Sequence, residues 1–187
     1  MTLNLIETIQ KNLQLPALHK VDPNTQDVKL PEESTVTEKL AQASIPAVLT
    51  AFYKLSRTVE GADTIQRGNF STSWINTLFG EDAPRAVGAI DDYAHSGYDA
   101  ARDQVEAVAV EAARVITENG KTAEGIKKLL TDERTNTLGY LPAALQIGDL
   151  LNDSTLDDRT NKMKGPISSL MHSIEQKFSE GDETQTP

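Results

Sequence analysis

The sequence has no cysteine, which excludes disulfide bonds, thiolate metal sites and cysteine nucleophiles. Aromatic residues make up only 5% of the chain and hydrophobic residues 38%, a lean composition that predicts a compact middle with loose ends. No apolar run approaches the roughly 18 residues that a membrane-spanning helix needs. The first residues, MTLNLIETIQKN, lack the basic and apolar regions of a signal peptide. We therefore expect a cytoplasmic protein.

Positive charge is also scarce in this chain. Lysine and arginine number 18 against 28 acidic residues, which gives a formal net charge of -10. The dense basic spot at Lys127 and Lys128 does not offset this charge, so phosphate backbones and anionic membrane surfaces should be repelled. We expect neither nucleic acid nor a membrane as partner, although a DNA-binding helical domain stays open as a second alternative function.

The clearest pattern in the chain is the helical periodicity of residues 98–119. Small apolar residues recur on one side of this segment, and charged residues occupy the other side. The apolar side consists of Ala101, Val105, Val108, Ala109, Ala112, Val115 and Ile116. Because these side chains are small, a neighbouring helix can approach closely and has to supply the bulk of the core. Gly120 is expected to end the helix in a left-handed conformation.

Shorter helices are predicted on both sides of this central helix, each with apolar residues at helical spacing. Gly61 and Gly68 mark a turn-rich segment, and Pro46 either kinks its helix or starts a new one. The expected starts are residue 2, Thr35 with its capping-box partner Glu38, Ser73, Asp82, Thr122, Pro142, Ser154 and Pro166. No alternating strand pattern occurs. We predict an all-α fold, an irregular multi-helix bundle with a long central helix and several short helices.

Composition divides the chain into three predicted regions. Residues 1–34 hold an N-terminal helix and a proline-rich arm, of which residues 15–33 either lie extended over the surface or are disordered. Residues 35–179 form the helical bundle domain. Residues 180–187 are an acidic tail without apolar residues, which we expect to be disordered.

Two segments of the chain resemble each other. Residues 45–49 read IPAVL and residues 141–145 read LPAAL, and each segment is followed six positions later by another leucine. One interpretation is a pair of equivalent helices whose first turns are fixed by proline, which would make the two halves pseudo-symmetric. The other interpretation is that two proline-started helices look alike by chance.

The same segments carry a resemblance to a known family. IPAVLTAFYKLS, a short helix ending in LFG, a long Ala-rich helix and YLPAALQIGDLL resemble, in that order, the elements of the bacterial YidB-like domain of unknown function. The resemblance covers residues 36–152, but this chain lacks the family's glycine-rich linkers and adds an N-terminal arm and a C-terminal helix. The resemblance implies an all-α bundle and a bacterial source, and it transfers no catalytic residue.

Asp91 and His95 are the candidates for a metal site. They stand four residues apart on a predicted helix, where a carboxylate–imidazole pair can hold a metal or relay a proton. The same pair is also common as a surface hydrogen bond near a helix C-terminus. A small-molecule or metal-binding domain using this pair is our first alternative function. Glycine-rich phosphate loops, EF-hand spacing and serine elbows are missing, so we expect no catalytic residue and no cofactor.

The aromatic residues allow two readings. Phe52, Tyr53, Phe70, Trp74 and Phe79 either line a ligand pocket or anchor the core. In a chain this poor in aromatic residues, we expect them to anchor the core.

Three small residues lie on the charged side of the central helix. Ala100, Ala107 and Val110 form a second face on which a helix from this chain or from a second copy could lie. We take these residues as interface candidates. The expected function is a non-catalytic protein-interaction or self-association module, whose partner is another protein or a second copy in a homo-oligomer.

Overall fold

The computed structural model describes residues 3–22, 24–25, 27–68, 73–153 and 155–156. Within these ranges the chain forms helices and no strand, apart from a single bridge between Val21 and Val28. The helices are α1 (Leu5–Asn12), α2 (Val36–Leu55), α3 (Val59–Arg67), α4 (Trp74–Phe79), α5 (Ala83–Ala94), α6 (Tyr98–Gly120), α7 (Ala123–Leu138) and α8 (Ile147–Leu150), with short 3-10 turns at Gly80–Asp82 and Ala143–Leu145. The predicted all-α, multi-helix fold is confirmed. The helices predicted from Ser154 and Pro166, and the tail 180–187, lie outside the described residues.

Helix α6 is the predicted central helix, and its apolar stripe is buried as expected. All seven predicted stripe residues are at most 2% exposed, and Ala113 joins them at 6%. The stripe packs against α2, α5 and α7 and also contacts α1. Because the stripe is mostly alanine and valine, the larger side chains of the core come from its neighbours, including Ile45, Leu49, Phe52 and Ile90.

Helix α2 is the element that α6 and its neighbours enclose. Every residue from Leu40 to Phe52 is buried, so this helix has no solvent-facing side over that stretch. A helix that is buried all round needs its polar side chains to be hydrogen-bonded. Ser44 Oγ donates to Leu40 O at 2.6 Å, and Thr50 Oγ1 donates to Pro46 O at 2.7 Å. The buried hydroxyls are therefore satisfied by the helix's own carbonyls.

The two similar segments have different structures. Pro46 lies in the interior of the continuous helix α2, whereas Pro142 precedes a short 3-10 turn with an extended ψ of 129°. Neither proline fixes the first turn of an α-helix, so the interpretation as two equivalent proline-started helices is wrong. Burial of the whole middle of α2 explains why the helix continues through Pro46, because packing on all sides outweighs one missing backbone donor.

Several predicted helix ends are confirmed and others are wrong. The capping box is present, since Glu38 N donates to Thr35 Oγ1 at 3.2 Å and Thr35 N donates to Glu38 Oε2 at 2.6 Å. Thr122 caps α7 as expected, but α7 runs to Leu138 and is longer than predicted. Asp82, predicted as a capping carboxylate, instead pairs with Arg85 at 2.6 Å.

Two glycines have a different role from the predicted one. Gly120 remains inside α6, and Lys121, with φ of 60°, takes the left-handed position instead. A methyl group on Gly120 would lie 2.5 Å from Ile126 Cγ1, so glycine is required there by the close approach of α7. Gly61 lies inside α3, where we predicted turns, and a methyl group on it would lie 1.9 Å from Leu55 O. Both glycines thus serve close packing.

The described part of the proline-rich arm lies against the surface of the bundle. The buried Gln42 side chain accepts a hydrogen bond from His19 N at 2.8 Å and donates to His19 O at 3.1 Å and to Tyr140 O at 2.7 Å. Val21 N donates to Gly139 O at 2.8 Å. The arm is therefore attached to α2 and to the loop that follows α7.

The N-terminal helix packs into the same core as the rest of the bundle. Leu5, Ile6 and Ile9 are at most 1% exposed, and α1 contacts α2 and α6. The Glu133 carboxylate of α7 accepts from Leu5 N at 3.4 Å, which attaches the start of α1 to the bundle. None of the helices in the described ranges is both long and apolar enough to cross a lipid bilayer.

Candidate functional site

The outer face of α6 carries the predicted interface residues. Ala100, Ala107 and Val110 are all exposed, and Val110 leaves 52% of its surface to solvent. Asp103 and Arg114 share this face, so the five residues follow one another at alternating spacings of three and four along the helix. We call this line of residues the α6 outer face. Along this face Asp103 lies between Ala100 and Ala107, Val110 follows, and Arg114 is at the C-terminal end.

A network of charges holds the C-terminal half of this face. Arg114 binds Glu111 Oε1 at 2.6 Å and Glu118 Oε1 at 2.5 Å. The hydrogen bond from Arg114 lowers the pKa of Glu111, and a second bond from Asn12 acts in the same direction against partial burial. The two carboxylates in turn raise the pKa of Arg114. Arg114 and Glu118 are exposed and Glu111 is partly buried, so solvent screens the network and it orients side chains more than it stabilises the fold.

A groove adjoins the N-terminal half of the α6 outer face. Its volume is about 470 Å³, and it lies between α6, α4 and the start of α5. The residues lining it are Ser73, Ile75, Asn76, Ala83, Pro84, Val87, Tyr98, Arg102, Asp103 and Glu106. Asp103 belongs to both the groove and the outer face, so the two surfaces are continuous.

Glu106, which faces this groove, holds the start of α4. Its carboxylate accepts hydrogen bonds from Trp74 N at 2.8 Å, from Ile75 N at 3.2 Å and from Ser73 Oγ at 2.6 Å. We predicted Ser73 as the cap of this helix. Glu106 caps it instead, and the Ser73 hydroxyl donates a hydrogen bond to the Glu106 carboxylate. A carboxylate suits this position, because the first backbone N–H groups of a helix have no partner within the helix.

The Asp91 carboxylate accepts hydrogen bonds from the loop between α5 and α6. Asp91 Oδ1 accepts from Ser96 N at 3.1 Å, from Ser96 Oγ at 3.3 Å and from Gly97 N at 2.7 Å. His95 is exposed, and its backbone takes the left-handed conformation that ends α5. Across the described ranges, no group of three or more His, Cys, Asp or Glu side chains could hold a metal ion. The metal site at Asp91 and His95 thus lacks a third protein ligand there, and it stays a prediction.

The aromatic residues that the structure describes belong mainly to the core, as expected. Phe52 is fully buried and its ring centroid lies 5.1 Å from that of Trp74, which is 4% exposed. Phe79 is 5% exposed. Tyr53 packs partly buried against the core, with the Arg134 guanidinium 5.6 Å from its ring centroid. Phe70 lies outside the described residues.

A larger groove was missed by sequence reasoning. It lies between α5 and the segment formed by the second 3-10 turn and α8, and its volume is about 740 Å³. Its lining residues are Arg85, Gly88, Ala89, Asp92, Tyr93, Ala144, Leu145, Gln146, Asp149 and Leu150. We call it the α5–α8 groove. The two sets of residues are far apart in sequence, and the one local signal was Gly88, a glycine inside a helical pattern.

Comparison with protein-family models, with curated proteins and with solved structures gives no match. The likeness of residues 36–152 to the YidB-like domain stays a prediction.

Proposed function

We propose that this chain is a non-catalytic helical interaction module and that the α6 outer face is its docking surface. The partner is a helix from another protein molecule, and a second copy of this chain is the version to test first. One observation carries the proposal: Ala100, Ala107 and Val110 face solvent in line on the same helix whose other side builds the core.

Small side chains on this face permit close approach of a helix. Packed helices lie about 8–10 Å apart, and the distance depends on the side chains at the contact. Burial of a valine contributes on the order of 1.5 kcal/mol, so Val110 alone supports only weak association. The adjoining groove of about 470 Å³ extends the contact surface with the ring of Tyr98, which is 43% exposed.

The wider setting belongs to the same proposal. We place the protein in the bacterial cytoplasm, related to the YidB-like domain through residues 36–152. The order of a long α2, a short α4 that ends at Phe79 just before Gly80, and an Ala-rich α6 supports this assignment.

Light scattering coupled to a sizing column tests self-association. We expect the apparent mass to rise with protein concentration, and Val110→Lys to abolish the rise, because a charge would be placed in the contact. The matched control is Val59→Lys, since Val59 is also an exposed valine, at 71%, but lies on α3. A monomeric mass over a hundredfold range of concentration would overturn the self-association version.

Crosslinking then tests a different partner protein. A photoreactive amino acid at position 110 should give a specific adduct in extracts, whereas the same group at position 59 should not. If both positions give the same adducts or none, the α6 outer face is not the docking surface.

A further inference from the structure

The α5–α8 groove has an apolar floor. Leu145 and Leu150 are 1% and 6% exposed, and both line the groove. Ala89 and Ala144 add small side chains to the lining, Gly88 adds only backbone, and the partly buried Tyr93 completes its apolar part. The groove therefore has an apolar part, and it opens to solvent.

The charge of the groove is negative. Asp92 and Asp149 are exposed lining residues, and within the described residues neither carboxylate pairs with a cation. Arg85 is the basic group of the lining, and its guanidinium is bound to Asp82 at 2.6 Å. The groove therefore presents two free carboxylates and one neutralised cation, which favours a positively charged occupant.

Close packing within the described residues does not require glycine at position 88. It lies in the middle of α5, where glycine is about 1 kcal/mol less favourable than alanine. A methyl group built on it would have no described neighbour within 4 Å, in contrast to Gly61 and Gly120. The backbone of α5 is thus open at this point of the groove, which suits close approach by a second chain.

From these three observations we infer that the α5–α8 groove docks a basic amphipathic segment of another protein. An apolar side chain of that segment lies on the floor over Gly88, between Leu145 and Leu150. Its lysine or arginine residues bind Asp92 and Asp149 on the rim. A groove this open suits a peptide segment better than an enclosed small molecule. The inference does not depend on the α6 outer face.

A model peptide made of leucine and lysine at helical spacing is the probe. Titration of the full chain, followed by amide chemical shifts in two-dimensional NMR, should give changes at Gly88, Asp92, Gln146 and Asp149. A leucine–glutamate peptide of the same length is the control ligand, and it should give none of these changes.

Two variants test the floor and the rim separately. Gly88→Leu fills the floor with a good helix former, so we expect a higher melting temperature together with a loss of about tenfold or more in peptide affinity. Loss of binding in a more stable variant cannot result from unfolding. Asp92→Asn combined with Asp149→Asn should weaken binding by a similar factor. Glu32→Gln combined with Glu33→Gln makes the same change of net charge on the exposed arm and should leave affinity within about twofold.

Three outcomes would overturn the inference. Equal weakening by the two charge-changing pairs would show general attraction to an acidic protein. Unchanged affinity in Gly88→Leu would show that the floor is not used. A lower melting temperature in Gly88→Leu would show that the groove is already filled by residues of the same chain. Val110→Lys should not change peptide affinity, so failure here and failure of the α6 proposal can be told apart.

Discussion

The side-chain amide of Gln42 makes two hydrogen bonds with the backbone of a single residue, His19. Gln42 Oε1 accepts from His19 N at 2.8 Å, while its Nε2 donates to His19 O at 3.1 Å. The same Nε2 also donates to Tyr140 O at 2.7 Å. A fully buried amide on α2 thereby joins the arm, the core and the loop after α7.

Gln42→Met should detach the arm, because it keeps the side-chain volume but removes all three hydrogen bonds. These three hydrogen bonds are partly buried and each contributes about 0.5–1.5 kcal/mol, so we expect urea denaturation to show a loss of unfolding free energy of about 1–3 kcal/mol. Trypsin should also cleave faster after Lys20 in the arm. Gln66→Met is the control, since Gln66 is exposed and its side chain donates to Lys121 O at 3.2 Å. Similar loss in both variants would contradict this account.

Glu106→Ala should loosen α4 without removing any residue of that helix. Two backbone donors and one hydroxyl lose their acceptor, which predicts a loss of about 1–3 kcal/mol. Trp74 is the single tryptophan of the sequence and supplies one of those donors, so its fluorescence reports on the change directly. Glu118→Ala is the control, because Glu118 is an exposed carboxylate on α6, the helix that also carries Glu106. An unchanged emission maximum in Glu106→Ala would show that the cap is dispensable.

The features that could be predicted from the sequence are those decided within a few residues. The capping box joins Thr35 to Glu38, three positions away, and the apolar stripe of α6 repeats within each turn. The exposure of Val110 follows from the same helical periodicity. Local geometry alone determines such features, so one sequence is enough to find them.

The features that could not be predicted depend on distant partners. From the sequence Ser73 is the expected cap, but in the structure Glu106, thirty-three positions away, supplies the capping carboxylate. Gly120 looks like a helix end until Ile126 packs against it. The α5–α8 groove joins residues more than fifty positions apart, and no local pattern places Asp92 and Asp149 in the same groove. Tertiary contacts decide these features and override the local preference.

Two glycines inside helices should respond to alanine in opposite directions. Gly88→Ala meets no described atom within 4 Å, so better helix propensity should raise the unfolding free energy by about 0.5–1 kcal/mol. Gly61→Ala would place its methyl group 1.9 Å from Leu55 O. The backbone must shift to relieve this contact, which should lower the unfolding free energy by about 1–3 kcal/mol. Thermal unfolding of both variants provides the measurement. Stabilisation by both substitutions would mean that α3 does not approach the end of α2 as described.

The bundle should lose stability as the pH falls into the acidic range. Burial acts to raise the pKa of Asp153, but hydrogen bonds from Thr155 and the charges of Arg57 and Lys54 outweigh it and lower the pKa below 3.8. The pKa of Glu111 is lowered below 4.5 by Arg114, and that of Glu38 by the hydrogen bonds of Thr35. All three carboxylates are therefore more acidic in the folded protein than in the unfolded chain.

The sign of the effect follows from proton binding. Between the folded and unfolded pKa values the unfolded chain binds more protons, so these groups contribute stability at neutral pH that is lost as the pH falls through their lowered values. Urea midpoints measured from neutral pH down to about 3 should decline most steeply below about 4.5. Asp153→Asn should be less stable at neutral pH and show a shallower decline. Asp92→Asn, which changes an exposed carboxylate without a cation partner among the described residues, should follow the unmodified chain. A parallel decline in Asp153→Asn would show that the contacts of Asp153 with Arg57 and Thr155 do not contribute to stability.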